Sequence, residues 1–219
     1  KESTTTFLKN VLEEVMALFP GEYIHTGGDE APKKRWRNCP DCQRLAREHG
    51  VTKINDLQTI LTNRISRFLA EHGKRLIGWN EMLAEGLDPD AVVQYWVGHE
   101  KTVMEHIRGG RKAILSNFVA YYLDHSYTHS SLDKVYLHEP VFAELEREYH
   151  ANVLGIEAPL WTEFVPSRAR LEWQVFPRLL AVAETAWLDA EKKNLTGFHE
   201  RITGFLAQMD RENIGYAKL

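Results

Sequence analysis

Tyr23-Ile24-His25-Thr26-Gly27-Gly28-Asp29-Glu30 starts as a β-type run, stops at two glycines and delivers two adjacent carboxylates. Tyr23 and Ile24 favour a strand. Gly27 and Gly28 end it, because glycine reaches backbone angles closed to other residues and lets another backbone or a ligand come close. Asp29 and Glu30 therefore stand at the carboxyl end of a strand, where parallel α/β folds place their ligands. In a cleft, mutual repulsion and burial favour keeping one such carboxyl protonated, the condition for a general acid. A structural alternative is equally open: Asp29 caps the next helix and Glu30 sits in its first turn.

Outward from that stretch the chain alternates between helix-type and strand-type segments. Upstream, Phe7, Leu8, Val11, Leu12, Val15, Met16, Leu18 and Phe19 recur at helical spacing over residues 6–19, until Pro20-Gly21 stops the run. Downstream follow a polar loop over 31–41, a helical 42–48, and a long amphipathic helix over 55–71. Arg75-Leu76-Ile77-Gly78-Trp79 reads as a second strand, 91–96 as a third, 111–117 as a fourth running into 118–124, and 152–161 as a fifth. Helices are expected over 102–107, 140–150, 167–187 with a bend near Pro177, and 197–211, with a loop over 126–134. Alternation at βαβ intervals predicts an α/β fold with a parallel sheet, in one domain over 1–219. The pattern leaves open an independent five-stranded sheet or part of a (β/α)8 TIM barrel, which takes about 250 residues and eight strands when complete.

Each predicted strand delivers aromatic or acidic groups near its carboxyl end: Asp29 and Glu30, Trp79 and Glu81, Trp96, Tyr122 and Asp124, then Trp161 and Glu163. Sugars present apolar CH faces that stack on indoles and hydroxyls that carboxylates grip by charge-assisted hydrogen bonds. Taken singly, any of these tryptophans reads more simply as core. Their repetition at the same strand ends argues for a sugar pocket.

Composition sets the outer bounds. The 219 residues are 43% hydrophobic and 26% charged, ordinary for a globular chain with a sizeable core. A formal charge of -4 with interspersed signs argues against a nucleic-acid partner. No apolar run approaches the roughly 20 residues of a membrane span, so no membrane partner is expected. Cys39-Pro40-Asp41-Cys42 stands without a second pair, which disfavours a zinc site; a redox pair and a plain loop turn both remain open, the turn being the simpler. No metal or cofactor is expected. Asn194-Leu195-Thr196 matches a glycosylation sequon, a triplet that chance also produces.

His25-Thr26-Gly27-Gly28-Asp29-Glu30 resembles the His-x-Gly-Gly-Asp-Glu signature of the β-N-acetylhexosaminidases of glycoside hydrolase family 20. The resemblance implies about the last five βα units of that family's (β/α)8 barrel. It implies hydrolysis of terminal β-linked N-acetylhexosamine, GlcNAc or GalNAc, with retention, the substrate's own acetamido oxygen attacking to give an oxazolinium. Glu30 is then the general acid and base, Asp29 orients the acetamido group, and Tyr122 donates its hydroxyl to it. Trp79, Trp96 and Trp161 enclose the methyl and ring, while Asp124 and Glu163 bind ring hydroxyls. His25 reads as a structural histidine behind the acids rather than a proton carrier, and Glu81 as a cap or a pairing partner. Phe176-Pro177-Arg178-Leu179-Leu180-Ala181 and Ala183-Glu184-Thr185-Ala186-Trp187 resemble the family's final barrel helix and read as packing.

Segments resembling the family's first three strands are not found before Lys1, so a fragment is expected, weak or inactive alone. Open sheet edges would favour a homo-oligomer. Relatives of this type are often secreted, periplasmic or lysosomal, which leaves the compartment open. Two readings compete: a non-catalytic carbohydrate-binding module, and an open-sheet enzyme assisted by a metal on His25, Asp29 and Glu30.

Overall fold

Leu8, Leu12, Val15 and Met16 recur at three- and four-residue steps and so share one face of helix α1 (Glu2–Leu18), which lies on a core of Ile24, Ile65, Leu69, Leu76 and Val93. The computed structural model describes residues 1–218, in two units divided in sequence between Ala113 and Ile114.

The first unit continues through β1 (Tyr23–His25), α2 (Pro40–Glu48), α3 (Gln58–Glu71), β2 (Arg75–Trp79), β3 (Val92–Tyr95) and α4 (Glu100–Arg108). β1 and β2 run parallel with Ile24 opposite Leu76, and β2 and β3 run parallel with Gly78 opposite Val93. Leu76, Ile77, Val92 and Val93 are all buried, the pattern of strands covered on both faces. The Val93 N–H donates to the Lys112 carbonyl at 3.2 Å, next to the start of β4 (Ala113–Leu115). Helix α1 begins before its apolar repeat does. Part of the expected loop over 31–41 is instead a 3-10 turn, Lys33–Asn38, and α2 starts at Pro40 because Cys39 caps it and proline suits the first helical position.

Buried His106 gives this unit a pH dependence. One ring nitrogen, Nε2, lies 3.3 Å from the Lys112 carbonyl, while Nδ1 is buried without a hydrogen-bond partner. Burial pushes its pKa down to about 4. A folded pKa below the unfolded value of about 6.5 means the stabilising contribution is complete above that value and is lost as pH falls toward the folded pKa. The free energy of urea unfolding should therefore fall between pH 6.5 and 4, by about 3 kcal/mol in all. His106→Gln, which cannot titrate, should remove that part of the slope.

The second unit contains α5 (Phe118–Tyr121), α6 (Leu132–Leu137), β5 (Val153–Ile156), α7 (Arg168–Val175), α8 (Arg178–Trp187) and α9 (Leu195–Glu212). Its core gathers Tyr121, Val135, Tyr136, Ala181, Phe198 and Ile202, with the Tyr136 and Phe198 rings stacked at 4.3 Å. The Glu157 N–H donates to the Leu115 carbonyl at 3.3 Å, and the strand order follows the chain, β1-β2-β3-β4-β5.

Several sequence expectations are corrected here. The apolar run after β4 does not stay extended: Asn117 accepts the Val119 N–H at 2.9 Å and turns residues 118–121 into a single helical turn. Within the expected loop over 126–134, Ser131 caps α6 by accepting the Lys134 N–H at 3.2 Å. No helix spans 140–150, where only Leu145 is deeply buried and no apolar face exists; a 3-10 turn, Arg147–Asn152, stands there instead. The fifth strand stops at Ile156, before Pro159, which lacks the N–H a ladder requires. The bend at Pro177 separates α7 from α8, and the Phe176–Pro177 peptide is cis.

Candidate active site

At the end of β1 the chain is held by its neighbours. The Thr26 N–H donates to the Ile77 carbonyl and the Trp79 N–H to the Gly27 carbonyl, both at 2.9 Å. The Gln58 side-chain amide donates to the Gly28 carbonyl at 2.7 Å. Gly27 and Gly28 take positive φ values of 75° and 99°, conformations that glycine reaches without a side-chain clash. Glu30 follows at φ 46°, a left-handed conformation uncommon outside glycine, on an exposed bend, with Asp29 half-buried before it. No helix starts at these acids: the next turn begins at Lys33 after Pro32, with no side-chain cap. The capping alternative for Asp29 is thereby overturned.

His25 braces this turn. Its Nδ1 accepts the Gly27 N–H at 3.1 Å, and its ring meets Trp79 edge-on at 4.9 Å. With Nδ1 as acceptor, the neutral ring carries its proton on Nε2. Trp79 is the last residue of β2 and is buried, while Trp96 lies one residue past β3 with its ring 6.5 Å from that of Trp79. Glu81 accepts the Trp96 indole N–H at 2.9 Å, which is the pairing role open to it. Asn80, almost wholly buried, accepts the Trp96 N–H at 3.0 Å and donates to the Val97 carbonyl at 3.1 Å. The two indoles are thus fixed from the backbone as well as by each other.

Close approach of β1 and β2 makes Gly78 irreplaceable by size. A Cβ there would stand 2.9 Å from the Gly27 carbonyl and 2.5 Å from Met82 Sδ. The methionine end can move, but the carbonyl belongs to the acid-bearing turn. Gly78→Ala should cost about 1–3 kcal/mol by overpacking, measured as a lower urea midpoint. An unchanged midpoint would show that the turn yields freely.

In the second unit Tyr122 follows α5 and is 4% exposed, its ring 5.0 Å from Phe118 and 5.8 Å from His125. The Leu123 N–H donates to the Pro159 carbonyl at 2.8 Å, and Gln174 donates to the Asp124 carbonyl at 2.9 Å. The Asp124 Oδ1 atom is buried and accepts no hydrogen bond among the described residues. Burial pushes the His125 imidazole down in pKa, against the pull of the Asp124 carboxylate. Arg178, fully buried, donates to the carbonyls of Leu123 at 2.6 Å, His125 at 2.9 Å, Ser130 at 3.1 Å and Gln174 at 2.7 Å, and lies 4.2 Å from the centre of the Tyr127 ring. Burial lowers its pKa while Tyr127 and Asp124 oppose the change. Trp161 is 44% exposed and Glu163 is exposed on the turn Thr162–Phe164.

The sequence-predicted residues therefore divide into two sets. His25, Asp29, Glu30, Trp79 and Trp96 belong to one unit and share the ends of β1, β2 and β3. Tyr122, Asp124, Trp161 and Glu163 belong to the other. There, Tyr122 lies beyond a helical turn and Trp161 five residues past β5, rather than at strand ends proper. Asn80, Gln58, Gln174 and Arg178 were missed as supports. A charged residue between the apolar Val175-Phe176 and Leu179-Leu180, at the start of α8, was the available signal for Arg178. Among the described residues no three of His, Cys, Asp and Glu gather as a metal-binding group.

A parallel β/α sheet whose strand ends carry adjacent carboxylates and braced indoles has the construction of a (β/α)8-type enzyme, whose active site lies at the carboxyl ends of the strands. The chain belongs to glycosyl hydrolase family 20: the model of that family's catalytic domain matches residues 1–190. It is 36% identical to a β-hexosaminidase of Porphyromonas gingivalis, covering 99% of this chain and 29% of that protein. It is 29% identical to the bovine β-hexosaminidase subunit alpha, covering 97% of this chain and 41% of that one. The exo β-N-acetylglucosaminidase of Vibrio harveyi, solved with N-acetylglucosamine, superposes with a TM-score of 0.86 at 30% identity, over 97% of this chain and 35% of that one. The Streptomyces plicatus N-acetyl-β-hexosaminidase, solved with Thio-NAglucal, gives 0.82 at 28% identity, over 100% and 43%. The chain thus spans well under half the length of these relatives, and its five strand-and-helix units correspond to part of the family's barrel.

Proposed function

We propose that the protein carrying this chain is a retaining exo-glycosidase that removes terminal β-linked N-acetylhexosamine from glycans, and that residues 1–219 belong to its single catalytic domain. The observation that carries this reading is the β1 end. There the signature acids leave the sheet from a turn held by Trp79, Ile77 and Gln58, next to the braced pair of indoles. Glu30, exposed on its bend, is free to protonate a leaving oxygen and later to take a proton from water. Asp29, half-buried one residue earlier, orients the acetamido group and stabilises the positive charge that develops on its nitrogen. Adjacent residues cannot bracket a sugar from opposite faces, so the nucleophile is supplied by the substrate, whose acetamido oxygen attacks the anomeric carbon to give the oxazolinium.

The other roles follow the same chemistry. Tyr122 donates to the acetamido oxygen, Trp79, Trp96 and Trp161 enclose the sugar, and Asp124 and Glu163 accept its hydroxyls. A buried carboxylate oxygen without a donor is costly, and a sugar hydroxyl is the donor that Asp124 Oδ1 lacks. His25 acts by position, holding the turn.

Taken alone, the 219-residue chain is expected to be a poor catalyst, because loosening a site by about 1 Å costs about 100-fold in rate. Hydrolysis of a chromogenic β-N-acetylglucosaminide by the full-length protein and by this chain tests both halves. Turnover by the full-length protein supports the assignment, and equal turnover by the chain would refute the second half. A folded but inactive full-length protein that still binds the sugar would favour the binding-module reading.

β1 and β5 are the ends of the strand order, and Leu154 on β5 is 44% exposed. Unpaired strand edges invite pairing, so the isolated chain should self-associate. Light scattering that gives a monomer mass at all concentrations would refute this.

A further inference from the structure

Cys39-Pro40-Asp41-Cys42 is a motif that sugar hydrolysis leaves unused. Cys39 is the N-cap of α2, Pro40 its first residue and Cys42 its third. The Cys42 backbone N–H donates to Cys39 Sγ at 3.4 Å, which holds that sulfur at the first turn of α2, beside Cys42. Both thiols are free, and both residues are partly exposed. These contacts make the two unequal. The Cys42 backbone N–H, and then its thiol, hold Cys39 below the usual thiol pKa, against burial and the Asp41 charge. The thiol of Cys42 is held above it, first by donating to Cys39 and then by burial. One sulfur is shifted toward thiolate while its neighbour one helical turn away keeps its proton, which is the arrangement thiol–disulfide exchange requires.

We propose that Cys39 and Cys42 form a reversible dithiol/disulfide site that exchanges with low-molecular-weight disulfides, Cys39 attacking first and Cys42 resolving. The Cys39 thiolate attacks one sulfur of the small disulfide, forming a mixed disulfide and releasing the other half as a thiolate. Cys42 then gives its proton to solvent and attacks Cys39 Sγ. A Cys39–Cys42 bond forms, the mixed disulfide breaks and the second half leaves as a thiolate. Two protein thiols are oxidised, and one small disulfide is reduced to two thiols. The bond closes a short ring at the start of α2, next to the turn Lys33–Asn38, to which Gln43 is tied through the Trp36 carbonyl at 3.5 Å and the Arg37 carbonyl at 3.1 Å.

The test uses oxidised and reduced glutathione at graded ratios, with intact mass as the readout. The wild-type chain should lose two hydrogens with no lasting adduct, reversibly with dithiothreitol. Cys42→Ser should stop at a single glutathione adduct on Cys39. Cys39→Ser should acquire its adduct at least about fivefold more slowly than Cys42→Ser. Serine is itself a favoured N-cap, so Cys39→Ser should keep α2, and circular dichroism confirms that both variants are folded. Equal rates for the two variants, two stable adducts on the wild type, or no thiol loss at any ratio would overturn the proposal.

Discussion

Glu30→Gln in the full-length protein should lower kcat for an unactivated β-N-acetylglucosaminide by about 10²–10⁴-fold, the range a positioned general acid and base supplies. KM should change little, because glutamine matches the size of the side chain and Glu30 is an exposed residue of a turn held by backbone bonds. Proton donation matters least when the leaving group is already a weak base. A dinitrophenyl glycoside should therefore regain much of the lost rate in its first step, leaving the water-activating step slow. On the proposed assignment Asp29 orients the acetamido group, so Asp29→Asn should behave differently: its loss should persist with the activated glycoside. If both variants lost equal rate with every leaving group, the division of labour between the two acids would be wrong. Correct folding of each variant is read from its urea midpoint.

Removing the Arg178 guanidinium should have the largest effect on stability. Its Nε and Nη atoms reach the carbonyls of Leu123, His125, Ser130 and Gln174, gathering the segment that carries Tyr122 and Asp124 onto the start of α8. Arg178→Met leaves several carbonyls buried without donors, at a cost of about 3–5 kcal/mol. Arg178→Lys restores the charge without the planar fork and should recover only part of it. Where Arg178→Lys remains folded in the full-length protein, KM should rise, because the Leu123 and His125 carbonyls on either side of Asp124 are no longer both held. A lysine variant with wild-type stability and KM would show that the fork geometry is unimportant.

How far the sequence discloses this molecule depends on the distance over which each feature is determined. β2 was legible to the residue, because Leu76 to Trp79 form a short apolar run just after Gly73 and strand burial needs nothing else. Helix α1 was legible from its apolar repeat, and the acid turn from paired glycines followed by paired carboxylates. The second unit was less so. Helix α6 depends on a Ser131 cap and on burial of Val135 and Tyr136 in a core assembled from α8 and α9. Residues 140–150 have acceptable helix formers but bury only Leu145, and propensity without a face to bury does not make a helix. Among the site residues, types and order were readable while the supports were not. Asn80 and Gln58 matter through carbonyls and amides of distant segments, and no local pattern marks such partners. Trp79 also shows why the core and site readings were hard to separate, since it is both buried and part of the indole pair.

The most direct test of the account is the rate of the full-length protein on aryl β-glycosides whose N-acetyl group is replaced by mono-, di- and trifluoroacetyl. Fluorine withdraws electrons from the carbonyl oxygen, so if that oxygen is the nucleophile, kcat should fall at each step and by at least about tenfold across the series. A rate that stays flat across the series would mean that the substrate's acetamido group does not attack, and would contradict the assignment of Asp29, Glu30 and Tyr122 made here.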